Sequence, residues 1–105
     1  MLQHGDDPDA RCRKYGTPLQ AAVATNKQDM AYLLLQYGAN PNLQGGKYGT
    51  PLLAATMGSR RGIVELLLKR HANVFASDRQ HVNALYQAVG HGDWDIAGLL
   101  LEAGA

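Results

Sequence analysis

Several features that would point to a particular chemistry are scarce or missing in this sequence. Its 105 residues contain one cysteine, Cys12, so no disulfide can form within the chain, and its four histidines lack the spacing of zinc ligands. No apolar run approaches the ~18 residues of a membrane span, and no signal-peptide core follows Met1. We therefore expect an intracellular protein, cytoplasmic or nuclear, with no metal and no cofactor.

Neither sign of charge is in excess. Ten lysines and arginines stand against nine acidic residues, for a formal net charge of +1. Such a balance gives no general reason to expect nucleic acid or an acidic membrane surface as a partner. The length suits one domain with a modest core. A binding function therefore has to be sought in local features.

The sequence does contain an internal repeat of 33 residues. The stretch KYGTPLQAA, residues 14–22, returns as KYGTPLLAA, residues 47–55. The same shift superimposes three leucine triplets, at residues 33–35, 66–68 and 99–101, without an insertion or deletion. Because one helical pair cannot bury its own apolar face, this repetition predicts units that stack on one another.

Each unit has the start signals of a short helix. Thr17 and Thr50 are suited to cap a helix, and Pro18 and Pro51 follow at the first helical position, where the missing N–H costs nothing. Asn83 takes the capping position in the third unit. A polar break follows, and the leucine triplet then predicts a second helix, so that each unit is a helix pair.

These motifs resemble the ankyrin repeats, a family with a 33-residue unit. The stretches TPLQAA, YLLLQYGANPN, TPLLAA, ELLLKRHAN and LLLEAGA are similar to its Thr-Pro-Leu-His-x-Ala signature, its aliphatic triplet and its Gly-Ala-Asp-x-Asn ending. The resemblance implies an all-α solenoid of stacked helix-turn-helix pairs linked by hairpin loops. It also implies one domain over residues 1–105: the tail of a preceding repeat at 1–13, repeats at 14–46 and 47–79, and a truncated repeat at 80–105.

The sequence departs from the family pattern at several positions. Gln20, Leu53 and Tyr86 replace the signature histidine, which calls into question the family's usual side-chain bond to the hairpin backbone. His71 stands where the family prefers a helix-ending glycine, so we expect a left-handed histidine or an altered turn there. Gly49 lies one place later than the usual hairpin glycine, so the geometry of the hairpin tip should not be copied from the family.

No group of residues forms a catalytic or phosphate-binding motif. His4, His71, His81 and His91 are interpreted as loop or helix-end residues. The stretch GSRRG, residues 58–62, lacks the Gly-Lys-Ser/Thr ending of a phosphate loop. Cys12 has cationic neighbours but is interpreted as an ordinary exposed thiol. We predict that the protein is not an enzyme, and the leucine triplets are interpreted as core between repeats.

A candidate binding strip comes from positions that the repeat brings into line at the hairpin tips. Its cations and aromatic rings would suit an acidic or mixed protein surface, with the tyrosines as anchors. A solvated charged edge is the structural alternative. Trp94 lies between the two helices of the third unit, and we favour packing over an exposed anchor for it. The strip consists of Arg13, Lys14, Tyr15, Lys47, Tyr48, Arg79 and His81.

Two classes of function follow. The leading hypothesis is a protein–protein interaction module, part of a longer ankyrin array, that binds a partner protein on its concave hairpin-tip and inner-helix surface. The alternative is a regulatory or scaffold segment of a larger enzyme or signalling receptor. We expect a monomer that could associate through uncapped ends, and no binding of nucleic acid or membrane.

Overall fold

Three pairs of short helices make up the fold. The computed structural model describes residues 16–45, 49–77 and 83–104. Within these ranges the chain forms no strand, and its two isolated antiparallel bridges join Gly45 to Gly49 and Ser77 to Asn83. The all-α prediction is therefore confirmed. The helices are α1 (Pro18–Ala24), α2 (Gln28–Gln36), α3 (Pro51–Met57), α4 (Arg61–Lys69), α5 (Ala84–His91) and α6 (Trp94–Glu102).

The helix pairs stack in a line. We call α1 and α2 unit 1, α3 and α4 unit 2, and α5 and α6 unit 3. The first helices form one row, in which α3 packs against both α1 and α5, and the second helices form another, in which α4 packs against both α2 and α6. The two helices of each unit also contact each other. The stack measures 40 × 24 × 21 Å.

The first helix of every unit begins at the predicted cap. Thr17 Oγ1 and Thr50 Oγ1 each accept a hydrogen bond of 3.3 Å from the backbone N–H of the third helical residue, and Asn83 Oδ1 accepts the equivalent bond at 2.9 Å. Pro18 and Pro51 occupy the first helical position. The local sequence therefore fixes where these helices start.

Left-handed residues mark the turns. Gly38 and His71 follow α2 and α4 with φ of 94° and 64°, so the expectation of a left-handed histidine is confirmed. The turns inside the units also contain a left-handed residue each: Asn26 at 57°, Ser59 at 56° and Gly92 at 74°. These three left-handed residues were not predicted from the sequence, although asparagine and glycine adopt this conformation more readily than most residues.

The core consists of the apolar faces between the units. The middle leucines of the triplets, Leu34, Leu67 and Leu100, are at most 2% exposed. In contrast, Leu101 is 56% exposed, so the interpretation of the triplets as core is wrong for that residue. No described unit lies beyond α6 to cover it.

Gln20 makes the side-chain bond to the hairpin backbone that was in question because the signature histidine is missing. Its Nε2 donates a hydrogen bond to the carbonyl oxygen of Gly45 at 2.7 Å and a second one to that of Gly49. Its Oε1 accepts from the backbone N–H of Thr17 at 2.9 Å, which completes a capping box. The side chain is 4% exposed and ties α1 to both sides of the following hairpin. Leu53, its counterpart in unit 2, has no polar group to do the same.

We predict that Gln20→Leu lowers the free energy of unfolding by about 1–3 kcal/mol, because it leaves the buried N–H of Thr17 and the partly buried carbonyl of Gly45 without their hydrogen bonds to Gln20. Urea denaturation measures this loss. Gln20→His serves as the control, since an imidazole can still donate to the hairpin, and it should retain most of the stability. Equal stability of Gln20→Leu and the parent chain would show that these bonds contribute nothing.

The middle unit should depend most on its core leucine. Leu67 and Leu100 are both fully buried, but Leu67 lies on α4, which packs between two second helices, whereas α6 has one such neighbour. We predict that Leu67→Ala costs more than Leu100→Ala within the usual range of roughly 2–5 kcal/mol, because a cavity between two packed units relaxes less. Equal losses in denaturant titrations would argue against a linear stack.

Gln87 offers a stabilising change. Its side chain is 8% exposed, and its buried Oε1 has no hydrogen-bond partner among the residues that the structure describes. Replacing Gln87 by the similarly shaped methionine removes that orphaned acceptor, and we predict a gain of about 1 kcal/mol in thermal or urea denaturation. A loss of stability would mean that the amide makes a bond in solution.

Candidate protein-binding surface

The stack has two edges, and each edge contains a different kind of loop. The chain reverses direction within each unit, so the hairpin loops between units lie at one end and the short turns inside units at the other. We call these the hairpin edge and the turn edge. The turn edge comprises residues 25–27, 58–60 and 92–93. The binding strip was predicted from hairpin positions of the repeat, and its residues lie outside the described ranges.

The first hairpin has a fixed base. The backbone N–H of Gly45 donates to the carbonyl oxygen of Gly49 at 2.8 Å, and Gln20 bonds to both residues. Gly49 has a φ of 88°, and a Cβ there would lie 3.2 Å from Leu53 Cδ1, so a side chain would be both strained and crowded. These contacts hold the two ends of the loop that contains Lys47 and Tyr48.

The loops of neighbouring units are also joined to each other. Asn42 Oδ1 accepts a hydrogen bond of 2.6 Å from the backbone N–H of Asn73 in the next loop. Asn73 in turn accepts from the backbone N–H of Phe75 at 2.9 Å, a local turn that orders its own loop. These hydrogen bonds therefore fix the position of one loop relative to the next.

All seven residues of the predicted strip lie outside the described residues. Their alignment on one face consequently stays a prediction, as does the role of Tyr15 and Tyr48 as anchors. The bridges at Gly45–Gly49 and Ser77–Asn83 flank two of the loops concerned. The residues of the strip are Arg13, Lys14, Tyr15, Lys47, Tyr48, Arg79 and His81.

The first helices provide an uncharged surface that ends in mostly small side chains next to the turn edge. Neither α1 nor α3 contains a charged residue. One repeat position reads Ala24, Met57 and Gly90, and these residues are half-buried, 40% exposed and exposed, respectively. Small side chains at two of the three places let a partner come close to the backbone. Neither α1 nor α3 therefore contributes a charged side chain to this surface.

Unit 3 exposes an apolar end face. Tyr86, Val89 and Leu101 are 72%, 48% and 56% exposed. The same repeat positions in unit 1 are covered by unit 2 and are at most 5% exposed: they are Gln20, Val23 and Leu35. The end face therefore has the surface by which one unit normally contacts the next.

Trp94 does not pack into the core. It is 69% exposed, so the interpretation as a packing residue is wrong. It is the first residue of α6, a position taken by the exposed residues Gln28 and Arg61 in the other units. Those polar counterparts were the sequence signal that the position faces solvent. The indole borders an open depression at the turn edge, together with Ser59, Arg61, Gly92, Asp93, Asp95 and Ile96.

The described residues contain no cluster suited to metal binding. No three His, Cys, Asp or Glu side chains come together within the ranges that the structure describes, and His71 and His91 are exposed there. None of the described helices is long and apolar enough to cross a membrane.

Comparison with known proteins agrees with the resemblance noted in the sequence. The family model for the ankyrin repeat matches residues 16–46 and 49–79, which is more than half of the chain. The protein therefore belongs to the ankyrin repeat family, whose members are in general non-catalytic protein–protein interaction modules. A comparison with curated proteins found no match.

Proposed function

We propose that residues 1–105 form a single ankyrin-repeat domain that binds a partner protein on the concave surface made by its hairpin tips and first helices. The proposed organisation is a preceding tail at 1–13, repeats at 14–46 and 47–79, and a truncated repeat at 80–105. The observation that carries the binding proposal is the recurrence of Lys-Tyr at 14–15 and 47–48, at hairpin positions beside uncharged first helices.

The strip residues suit an acidic or mixed protein surface. Arginine and tyrosine are enriched at the centres of protein interfaces, and the cations favour an approaching surface of opposite charge. The chain's net charge of +1 and the acidic residues Asp6, Asp7 and Asp9 make nucleic acid a poor alternative. We therefore propose a protein partner, no cofactor and no reaction.

The fixed hairpin base supports this role. A loop whose ends are held by Gln20 and by the Gly45–Gly49 pair has fewer conformations to lose when a partner binds. The entropy cost of ordering loops is one of the main terms that oppose association. A partner contacting residues 46–48 would therefore meet a surface whose supports are already in place.

The end face of unit 3 supports a place in a longer array. Tyr86, Val89 and Leu101 would be covered by a further unit in the way that their counterparts in unit 1 are covered by unit 2. The alternative, in which the chain is also part of a longer protein, is a regulatory or scaffold segment of a larger enzyme or signalling receptor. The full-length reading frame would distinguish a longer ankyrin array from a segment of an enzyme or receptor. We propose an intracellular protein, monomeric except for association through such uncapped ends.

The test is capture of a partner protein followed by alanine variants measured on that partner. We predict that Tyr48→Ala weakens binding by about 2 kcal/mol or more if the ring is a central anchor. Lys47→Ala should mainly lower the association rate and its dependence on salt. Tyr32→Ala is the matched control, because Tyr32 is an exposed tyrosine of α2 and lies away from the hairpins.

Fold and binding must be separated in this experiment. Each variant is melted, and its affinity is corrected for the unfolded fraction. If Tyr48→Ala lowers the melting temperature while the corrected affinity stays unchanged, the tyrosine packs against its own hairpin and the strip is not a hot spot. Equal effects of Tyr48→Ala and Tyr32→Ala would also contradict the proposal.

A further inference from the structure

The turn edge of unit 3 combines features that the fold does not need. Trp94 is 69% exposed, although the same position accepts glutamine and arginine in units 1 and 2. The turns of all three units share a left-handed residue, so the indole is not required to form this one. Exposed tryptophans are uncommon on surfaces without a partner and are strongly enriched at the centres of interfaces.

Two carboxylates beside Trp94 are held in place from the neighbouring unit. Ser59 Oγ donates to Asp93 Oδ2 at 2.6 Å, and Arg61 Nη1 lies 3.5 Å from Asp95 Oδ2. Asp93 occupies the N-cap position of α6 but makes no capping hydrogen bond with its side chain. Its carboxylate is therefore directed by the contact between units 2 and 3 rather than by its own helix.

The charge around the indole is negative. Arg61 is shared between Asp95 and Glu65, whose Oε1 lies 3.3 Å from Arg61 Nε. Counting Arg60 and Arg61 against Glu65, Asp93 and Asp95 leaves a net charge of −1 beside the exposed ring. At the equivalent place in unit 1, Asp29 has Gln28 and Lys27 as neighbours, so it has neither the ring nor a second carboxylate.

We propose that Trp94, Asp93 and Asp95 form a second docking surface, which receives an arginine side chain of a partner protein. A guanidinium can stack on the indole face and donate hydrogen bonds to a carboxylate in the same plane, a combination that a lysine ammonium does not match. The exposed indole also offers apolar surface to a neighbour of that arginine. This surface lies at the opposite edge from the hairpins, so it does not depend on the binding strip.

The chain has a built-in reporter for this surface, because Trp94 is its one tryptophan. The probe is a blocked pentapeptide with a central arginine between two leucines, and the matched peptide has glutamine in place of arginine. We expect the arginine peptide to shift Trp94 emission to shorter wavelength in a saturable way, more weakly at high salt. The glutamine peptide should bind at least fivefold more weakly.

Variants test each part of the surface. Asp93→Asn and Asp95→Asn together should weaken the arginine peptide about tenfold, whereas Asp29→Asn, the control on unit 1, should leave it unchanged. Trp94→Ala should keep the melting temperature and abolish binding observed by calorimetry. Loss of folding in Trp94→Ala would instead assign the ring a structural role, and Trp94→Phe would then be expected to restore folding without restoring full binding.

Other outcomes would overturn the proposal. Equal binding of the two peptides would identify the surface as a site for an apolar segment. A shift in emission that grows with protein concentration, without peptide, would identify a second copy of the chain as the occupant. Absence of any saturable change at millimolar peptide would also refute it. None of these results bears on binding at the hairpin edge.

Discussion

The burial of each helix pair against its neighbours is the constraint on which the structure depends. Residues 51–56 of α3, which has a unit on either side, are all buried. In α5, which has one described neighbour, only Ala84, Gln87 and Ala88 are. A short helix of seven or eight residues is marginal alone, so its stability comes from these contacts. The buried leucines and alanines of the repeat therefore serve to pack the units against one another.

Function is consequently left to positions that stacking does not use. The helices run between two edges, and each edge has its own means of fixing side chains: Gln20 and the glycine pair at the hairpin edge, and contacts such as Ser59–Asp93 at the turn edge. The first helices between these edges are uncharged in units 1 and 2. In both of the proposed binding modes a partner would be selected at an edge, and the surface between the edges would mainly allow close approach.

Much of this could be predicted from the sequence, because the 33-residue register acts through local chemistry. Caps such as Thr50 and the left-handed His71 follow from neighbouring residues alone. The two bonds from Gln20 to the hairpin could not be predicted, since their acceptors are 25 and 29 residues away and depend on how the hairpin folds. The exposure of Trp94 was misjudged because an indole usually packs. For the candidate site, the register predicts hairpin positions for the strip residues, whereas the orientation of their side chains cannot be predicted because it depends on loop conformation that no local rule fixes.

Amide hydrogen exchange of the free chain tests most directly whether the units draw their stability from one another. The middle unit has a neighbour on each side, so the amides of α3 and α4 should exchange most slowly, with faster exchange in α5 and α6, whose end face is exposed. That gradient is the result the account predicts. Slowest exchange in unit 3, or exchange in the middle unit as fast as in unit 3 or faster while unit 1 is protected, would contradict it, because a neighbour on each side would then give no added stability.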